Sequence, residues 1–307
     1  MGRQKALTAA EVSVMKDPAI RNNRIQCLCA LVGAGIVAVC VFIGVTMNLT
    51  TVYDENFDHM GIRTFCMFTV NSNILAGLSM MLCLPYTVDG LRTGNYHLPD
   101  WVVVMMHVTV SAIALTFLVS LCILAPAKGF YLIFSGSRFF LHGVCPVLSI
   151  VTFCCFINSH LVRLRETVLA MVPVLLYTAV YIIMVVIIGE ERGGWNDFYG
   201  FATRVPLWVS MLVILPSAFG IALLLRWGHN SCCLRRRKLD AELYRKTYGG
   251  ADLRKVFAEM ACEQKKELKL KNPTIPLQMI GYMIENSGSD LDMDEAARIY
   301  FDAWMKG

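Results

Sequence analysis

Apolar positions along this chain gather into six long runs parted by short polar connections: Gln26 to Met47, Phe65 to Tyr86, Asp100 to Pro126, Phe139 to His160, Thr167 to Ile188 and Pro206 to Trp227. A helix rising about 1.5 Å per residue needs roughly 20 apolar residues to cover a hydrocarbon core of about 30 Å, and each run meets that length. The pattern predicts an all-α polytopic membrane protein: a six-helix transmembrane bundle over residues 26–227, a short segment before it (1–25) and a small helical tail after it (228–307). Connections of about ten to fifteen residues leave no room for a soluble domain before Trp227, so only the tail is expected to fold in water. The first 24 residues are polar and charged, with Thr8 and Glu11 spaced as a capping box ahead of Pro18, and do not read as a cleavable signal peptide.

Lysine and arginine set the expected orientation, because short cation-rich loops stay on the cytoplasmic side. Arg3, Lys5, Lys16, Arg21 and Arg24 precede the first run, Arg163 and Arg165 follow the fourth, and Arg226 with Arg235, Arg236, Arg237 and Lys238 closes the sixth. The alternate loops hold Asp54, Glu55, Asp58, Glu190, Glu191 and Asp197, with Arg63, Lys128, Arg138, Arg192 and Arg204 near their edges. Both termini are therefore predicted to be cytoplasmic, in a plasma or bacterial inner membrane. Composition agrees, with 56% apolar residues and a mean hydropathy of +0.54. The net charge of +5 gathers near the predicted inner face, which suits anionic lipid headgroups, and no nucleic-acid motif is present. Nine of the twelve cysteines lie in the apolar runs, so small apolar fillers are expected in place of a disulfide framework; Cys232 and Cys233, beside the basic cluster, read as unmodified thiols or acylation sites.

The interiors of the six runs contain no aspartate, glutamate, lysine or arginine, which argues against an ion-coupled carrier or proton pump. Two polar features remain inside the membrane. One is Phe68-Thr69-Val70-Asn71-Ser72-Asn73, with Thr69 and Asn73 on one helical face; the other is His142, which with Gly143 precedes Pro146. Counting from Arg63 and Arg138 puts Thr69 roughly 9 Å and His142 roughly 6 Å below the outer boundary, at matching depth. A hydroxyl and an imidazole at one level can serve as nucleophile and general base toward an ester, with Asn71, Ser72 and Asn73 as substrate-binding groups and Asn71 or Asn73 as oxyanion donor. Pro146 is expected to free a backbone carbonyl near Leu141 and His142, and Gly143 to admit a close neighbour. The alternative is that the cluster and His142 only hydrogen-bond neighbouring helices. His107 is expected to be a satisfied interior residue, and His160 and His229 to be interfacial. His59, with Asp54, Glu55 and Asp58, reads as a solvated loop in preference to a cation site. Neither metal nor cofactor is called for.

Six spans with cytoplasmic ends, a threonine opening the second and a histidine shortly before a proline in the fourth resemble the androgen-induced membrane protein family, which includes intramembrane threonine hydrolases of fatty acid esters of hydroxy fatty acids. The resemblance covers Gln26 to Trp227 and implies Thr69 as nucleophile, His142 as base and a lipid ester as substrate. It departs from the family where Val70 stands in place of an aromatic residue, and it leaves Thr64 or Ser72 as alternative nucleophiles. The Phe-Thr-x-x-Ser-Asn opening is also similar to that of bacterial six-span proteins without known activity.

Beyond the bundle, Arg235 to Lys246 reads as a basic helix along the inner leaflet. Phe257, Met260, Ala261, Gln264 and Leu268 mark an amphipathic helix ending before Asn272 and Pro273, followed by helices at Leu277 to Ile284 and at Met293 to Met305, the last capped by Asp292 and Glu295. Asp290 to Asp294 is not an EF-hand loop, because Glu295 and Phe301 stand where glycine and glutamate are required. This module of about 55 residues is expected to pack on the bundle, self-associate or bind a protein partner. Two non-enzymatic classes stay open: a scaffold anchored by the bundle, and a small-solute carrier.

Overall fold

The computed structural model describes residues 18–50, 61–94, 96–203, 206–269, 271–273 and 277–306. The expected capping box of Thr8 and Glu11, the cations Arg3, Lys5 and Lys16, the acidic loop with Asp54, Glu55, Asp58 and His59, and Arg204 lie outside them. Among the described residues there is no strand, and six helices are long and apolar enough to cross a membrane. They are α1 (Pro18–Thr50), α2 (Phe68–Thr93), α3 (Asp100–Lys128), α4 (Phe139–Phe156), α5 (Leu164–Ile188) and α6 (Leu207–Tyr248). The tail adds α7 (Leu253–Leu268), α8 (Leu277–Ser287) and α9 (Met293–Lys306). The chain is thus an all-α integral membrane protein, and its cysteines are free thiols.

The fold divides into two compact units: Ala30–Leu84 with Leu98–Cys232, and residues up to Cys29 with Pro85–His97 and Cys233–Gly307. In the first unit α3 is the central helix. Over its most apolar stretch 56% of residues are buried, against 11% in α5, whose exposed side chains (Leu175, Leu176, Val180, Ile183, Ile187) are those a lipid tail would cover. Pro99 holds an extended ψ of 142° and lends its carbonyl to Val102, starting α3, while Asp100 complements the helix dipole in the first turn.

Small residues and hydroxyls join the helices, as expected where lipid offers no hydrophobic drive to helix association. Ser72 and Thr116 approach to 3.0 Å and Ser79 and Thr109 to 2.7 Å, so two pairs seven residues apart on α2 and α3 form an antiparallel ladder. A Cβ on Gly44 would stand 2.9 Å from Leu141, and one on Gly33 would collide with Thr152, so both glycines let α1 approach α4 closely. Gly143 has no such role, since its Cβ would meet only Phe134, at 3.6 Å.

The second unit contains the tail. Val256, Phe257 and Met260 of α7, Ile280 and Met283 of α8, and Tyr300 and Trp304 of α9 bury a common core with Tyr244 and Tyr248. These tyrosines belong to α6, because the basic stretch from Arg235 is not a separate surface helix but continues α6 to Tyr248. Asp252 caps α7 by accepting from the Arg254 amide at 3.1 Å. Glu295, expected to help cap α9, instead pairs with the Arg254 guanidinium at 3.2 and 3.4 Å.

Candidate functional site

The geometry of the site starts from a proline. The first half of α4, Phe139–Val144, is wound as a π-helix, in which each amide reaches back five residues; Cys145 N–H bonds to the Phe140 carbonyl. The next donor in that register would be residue 146, and Pro146 has none, so the Leu141 carbonyl is orphaned. Asn73 answers it: its Nδ2 donates to Leu141 O at 2.9 Å and to Thr69 O at 2.7 Å. One amide thereby ties the opening of α2 to the opening of α4 and brings Thr69 and His142 to the same place.

Both residues line one cavity of about 70 Å³, which also touches Lys128, Ile133, Arg138 and Tyr199. Thr69 lies in the first turn of α2 and His142 in the π-helical turn of α4, and both are buried. His142 Nδ1 sits 3.1 Å from the Ile133 carbonyl, supplied by the short helix Phe130–Ile133. A carbonyl accepts only, so Nδ1 carries the proton and Nε2 is the basic nitrogen of the neutral ring. Phe134 meets the imidazole edge-on with centroids 6.5 Å apart. Among the described residues the lining includes two cations and no carboxylate.

Thr69 also lines a second cavity, of about 50 Å³, walled by Phe68, Leu115, Val119, Val174, Met211 and Ile214. Among the described residues only Thr69, Leu124 and Tyr199 belong to both. The threonine therefore stands between a basic compartment and an apolar one.

The remaining sequence-predicted site residues go elsewhere. Asn71 donates to the Phe65 carbonyl at 2.9 Å, Ser72 bonds Thr116 and the Thr69 carbonyl, and neither lines these two cavities. Both hydrogens of the Asn73 amide are committed, which leaves it no donor for an oxyanion, and its buried Oδ1 has no partner among the described residues. Of the alternative nucleophiles, Thr64 accepts from Asn48 in the 3₁₀ turn Gly61–Cys66, and Ser72 is in the ladder.

The loop between α5 and α6 supplies what sequence reasoning overlooked. Asp197 accepts from the amides of Gly200 (2.8 Å), Phe201 (3.0 Å), Ala202 (2.9 Å) and Thr203 (2.8 Å) and from the hydroxyls of Thr203 and Tyr181. Burial alone would raise this carboxyl; the donors from Tyr181, Ala202 and Thr203 outweigh it and hold it down to about 2. The turn so fixed presents Tyr199, packed against Phe198 (4.8 Å) and Phe201 (5.0 Å), with its hydroxyl enclosed and completing no hydrogen bond among the described residues. Burial pushes this phenol up, and the Thr69 hydroxyl and backbone, the Phe68 backbone and the Tyr177 hydroxyl beside it act in the opposite sense. The sequence signal was the aromatic density from Trp195 to Phe201 around one aspartate.

A second polar group within the same unit is structural in character. His160 lies 3.1 Å from Asp100 and 3.0 Å from Glu166, and His229 spans the Phe153 and His160 carbonyls at 3.0 and 2.9 Å while stacking on Phe153. His107, expected to be satisfied, is fully buried with neither ring nitrogen bonded among the described residues. Among the described residues no cluster of three or more histidine, cysteine or acidic side chains has the arrangement of a metal site. Comparison with protein-family models, curated proteins and solved structures finds no match to the chain.

Proposed function

We propose that this protein is an intramembrane hydrolase of lipid or fatty acid esters, with Thr69 as nucleophile and His142 as general base. One observation carries the reading: a buried threonine and a buried histidine from different helices line one cavity, and the histidine's Nδ1 is held by a backbone carbonyl so that Nε2 is the basic atom. An imidazole fixed in this tautomer and shielded from charge pairing is suited to accept a hydroxyl proton. The reading places both termini in the cytoplasm and the cavity toward the outer face of a plasma or bacterial inner membrane, as the cation distribution predicts.

In the mechanism, His142 Nε2 takes the Thr69 hydroxyl proton as Oγ1 bonds to the ester carbonyl carbon and the carbonyl π pair moves onto oxygen. Collapse expels the alkoxide, which takes the proton from His142, and leaves an acyl-threonine. Water then repeats the sequence with His142 again as base, releasing the carboxylic acid and restoring Thr69. The acyl group enters the apolar cavity beside Thr69, and the alcohol portion faces Lys128 and Arg138. At about 50 Å³ the apolar compartment is smaller than the roughly 150 Å³ that holds a benzene ring, so a long acyl chain extends from it between helices into lipid.

A carrier is disfavoured because the hydroxyls between α2 and α3 are paired with one another. A scaffold reading draws on the separate core of the tail. Purified protein in proteoliposomes, supplied with 4-nitrophenyl and lipid esters, separates the classes. His142→Ala and Thr69→Ala are expected to abolish hydrolysis while retaining the thermal transition; unchanged turnover in either would end the hydrolase reading.

A further inference from the structure

Ester hydrolysis by Thr69 and His142 requires a donor for the oxygen that becomes negatively charged, and the asparagines closest in sequence cannot provide it. Asn73 has both amide hydrogens bound to carbonyls and Asn71 is turned to Phe65. We infer that Tyr199 is a third catalytic residue of the site, its hydroxyl donating a hydrogen bond to the carbonyl oxygen of the ester as the tetrahedral intermediate forms. The inference rests on the hydrolase reading above.

Four observations converge on it. The Tyr199 hydroxyl is buried and completes no hydrogen bond of good geometry among the described residues, although the Thr69 and Tyr177 hydroxyls stand beside it, so its proton can be turned to a substrate oxygen. Thr69, whose hydroxyl attacks, lines the same two cavities. Tyr199 lines both the basic and the apolar compartment, as a group placed at the junction of acyl and alcohol portions must. Finally, the turn that carries it is fixed by the bonds to Asp197 and by aromatic packing, so the donor is oriented before substrate arrives, which is what makes oxyanion stabilisation effective. Tyr177, another phenol in the apolar cavity, already donates to the Cys66 carbonyl at 2.7 Å and is not a competing donor.

The proton balance of the two steps is unchanged: His142 moves the proton, while Tyr199 keeps its own and shares it with the oxyanion. Tyr199→Phe removes the donor and preserves the ring. With 4-nitrophenyl butyrate as probe, Tyr199→Phe is expected to lower kcat by about a hundredfold or more with KM within about twofold of wild type. Tyr300→Phe, a control that removes a phenol from the tail core outside both cavities, is expected to keep kcat within a few-fold. A trifluoromethyl ketone, which binds as an oxyanion adduct, is expected to lose about a hundredfold in potency against Tyr199→Phe. A kcat within about twofold of wild type, or a rise in KM alone, would overturn the role of Tyr199 while a dead Thr69→Ala leaves the hydrolase reading standing. Equal turnover in wild type and Thr69→Ala would remove that reading and the Tyr199 inference with it.

Discussion

At the scale of single residues, placement is governed by where backbone donors are missing. Asn73 fills the vacancy that Pro146 creates at Leu141, so Asn73→Leu, close in volume, leaves the Leu141 carbonyl unanswered, whereas the Thr69 carbonyl keeps its bond from Ser72. A loss of about 1–3 kcal/mol in stability is expected, read as a lowered thermal transition, together with lost turnover as Thr69 and His142 drift apart. Asp197 gives a pH-dependent counterpart. Its carboxyl is held low in the folded loop, so the unfolded state binds the proton more readily; the stabilisation is fully present above about pH 4 and is lost as pH falls through about 2. Hydrogen exchange of peptides covering 195–203, corrected for intrinsic rate, is expected to lose protection across that interval in wild type and not in Asp197→Asn. Thr69 and His142 were legible in the sequence because a hydroxyl and an imidazole stand out in apolar surroundings. The work of Asn73 was not, because it depends on a π-helical register that moves the orphaned carbonyl from His142 to Leu141. Tyr199 was hidden by its setting, since aromatic residues near a membrane surface are ordinary.

At the scale of elements, the apolar runs located all six helices, but their ends were set by other forces. α4 stops at Phe156, short of His160, where His160 instead bridges Asp100 and Glu166. α6 ignores the polar boundary at Trp227 because nothing between it and Tyr248 breaks a helix. The α2–α3 ladder is a joint of two hydroxyl pairs at heptad spacing, and a double-mutant cycle of Ser79→Ala with Thr109→Val is expected to give a coupling of about 0.6–2 kcal/mol. Gly44→Val drives a branched side chain into Leu141, the residue beside His142. Overpacking of about 1–3 kcal/mol is expected, with a larger proportional loss of turnover than of stability.

For the whole molecule, the site residues all fall within one compact unit, while the tail builds its own core around Phe257, Tyr300 and Trp304 in the other. The hydrolase reading therefore expects chemistry to survive changes confined to the tail core: Trp304→Ala should lower the stability of that unit and leave kcat in proteoliposomes within a few-fold, whereas a scaffold would lose its function. The decisive measurement is to treat the reconstituted protein with a fluorophosphonate and map the modified residue by mass spectrometry. A label on Thr69 that forms in wild type and fails to form in His142→Ala is the expected result; a label elsewhere, or one on Thr69 indifferent to His142, would contradict a threonine nucleophile activated by that histidine.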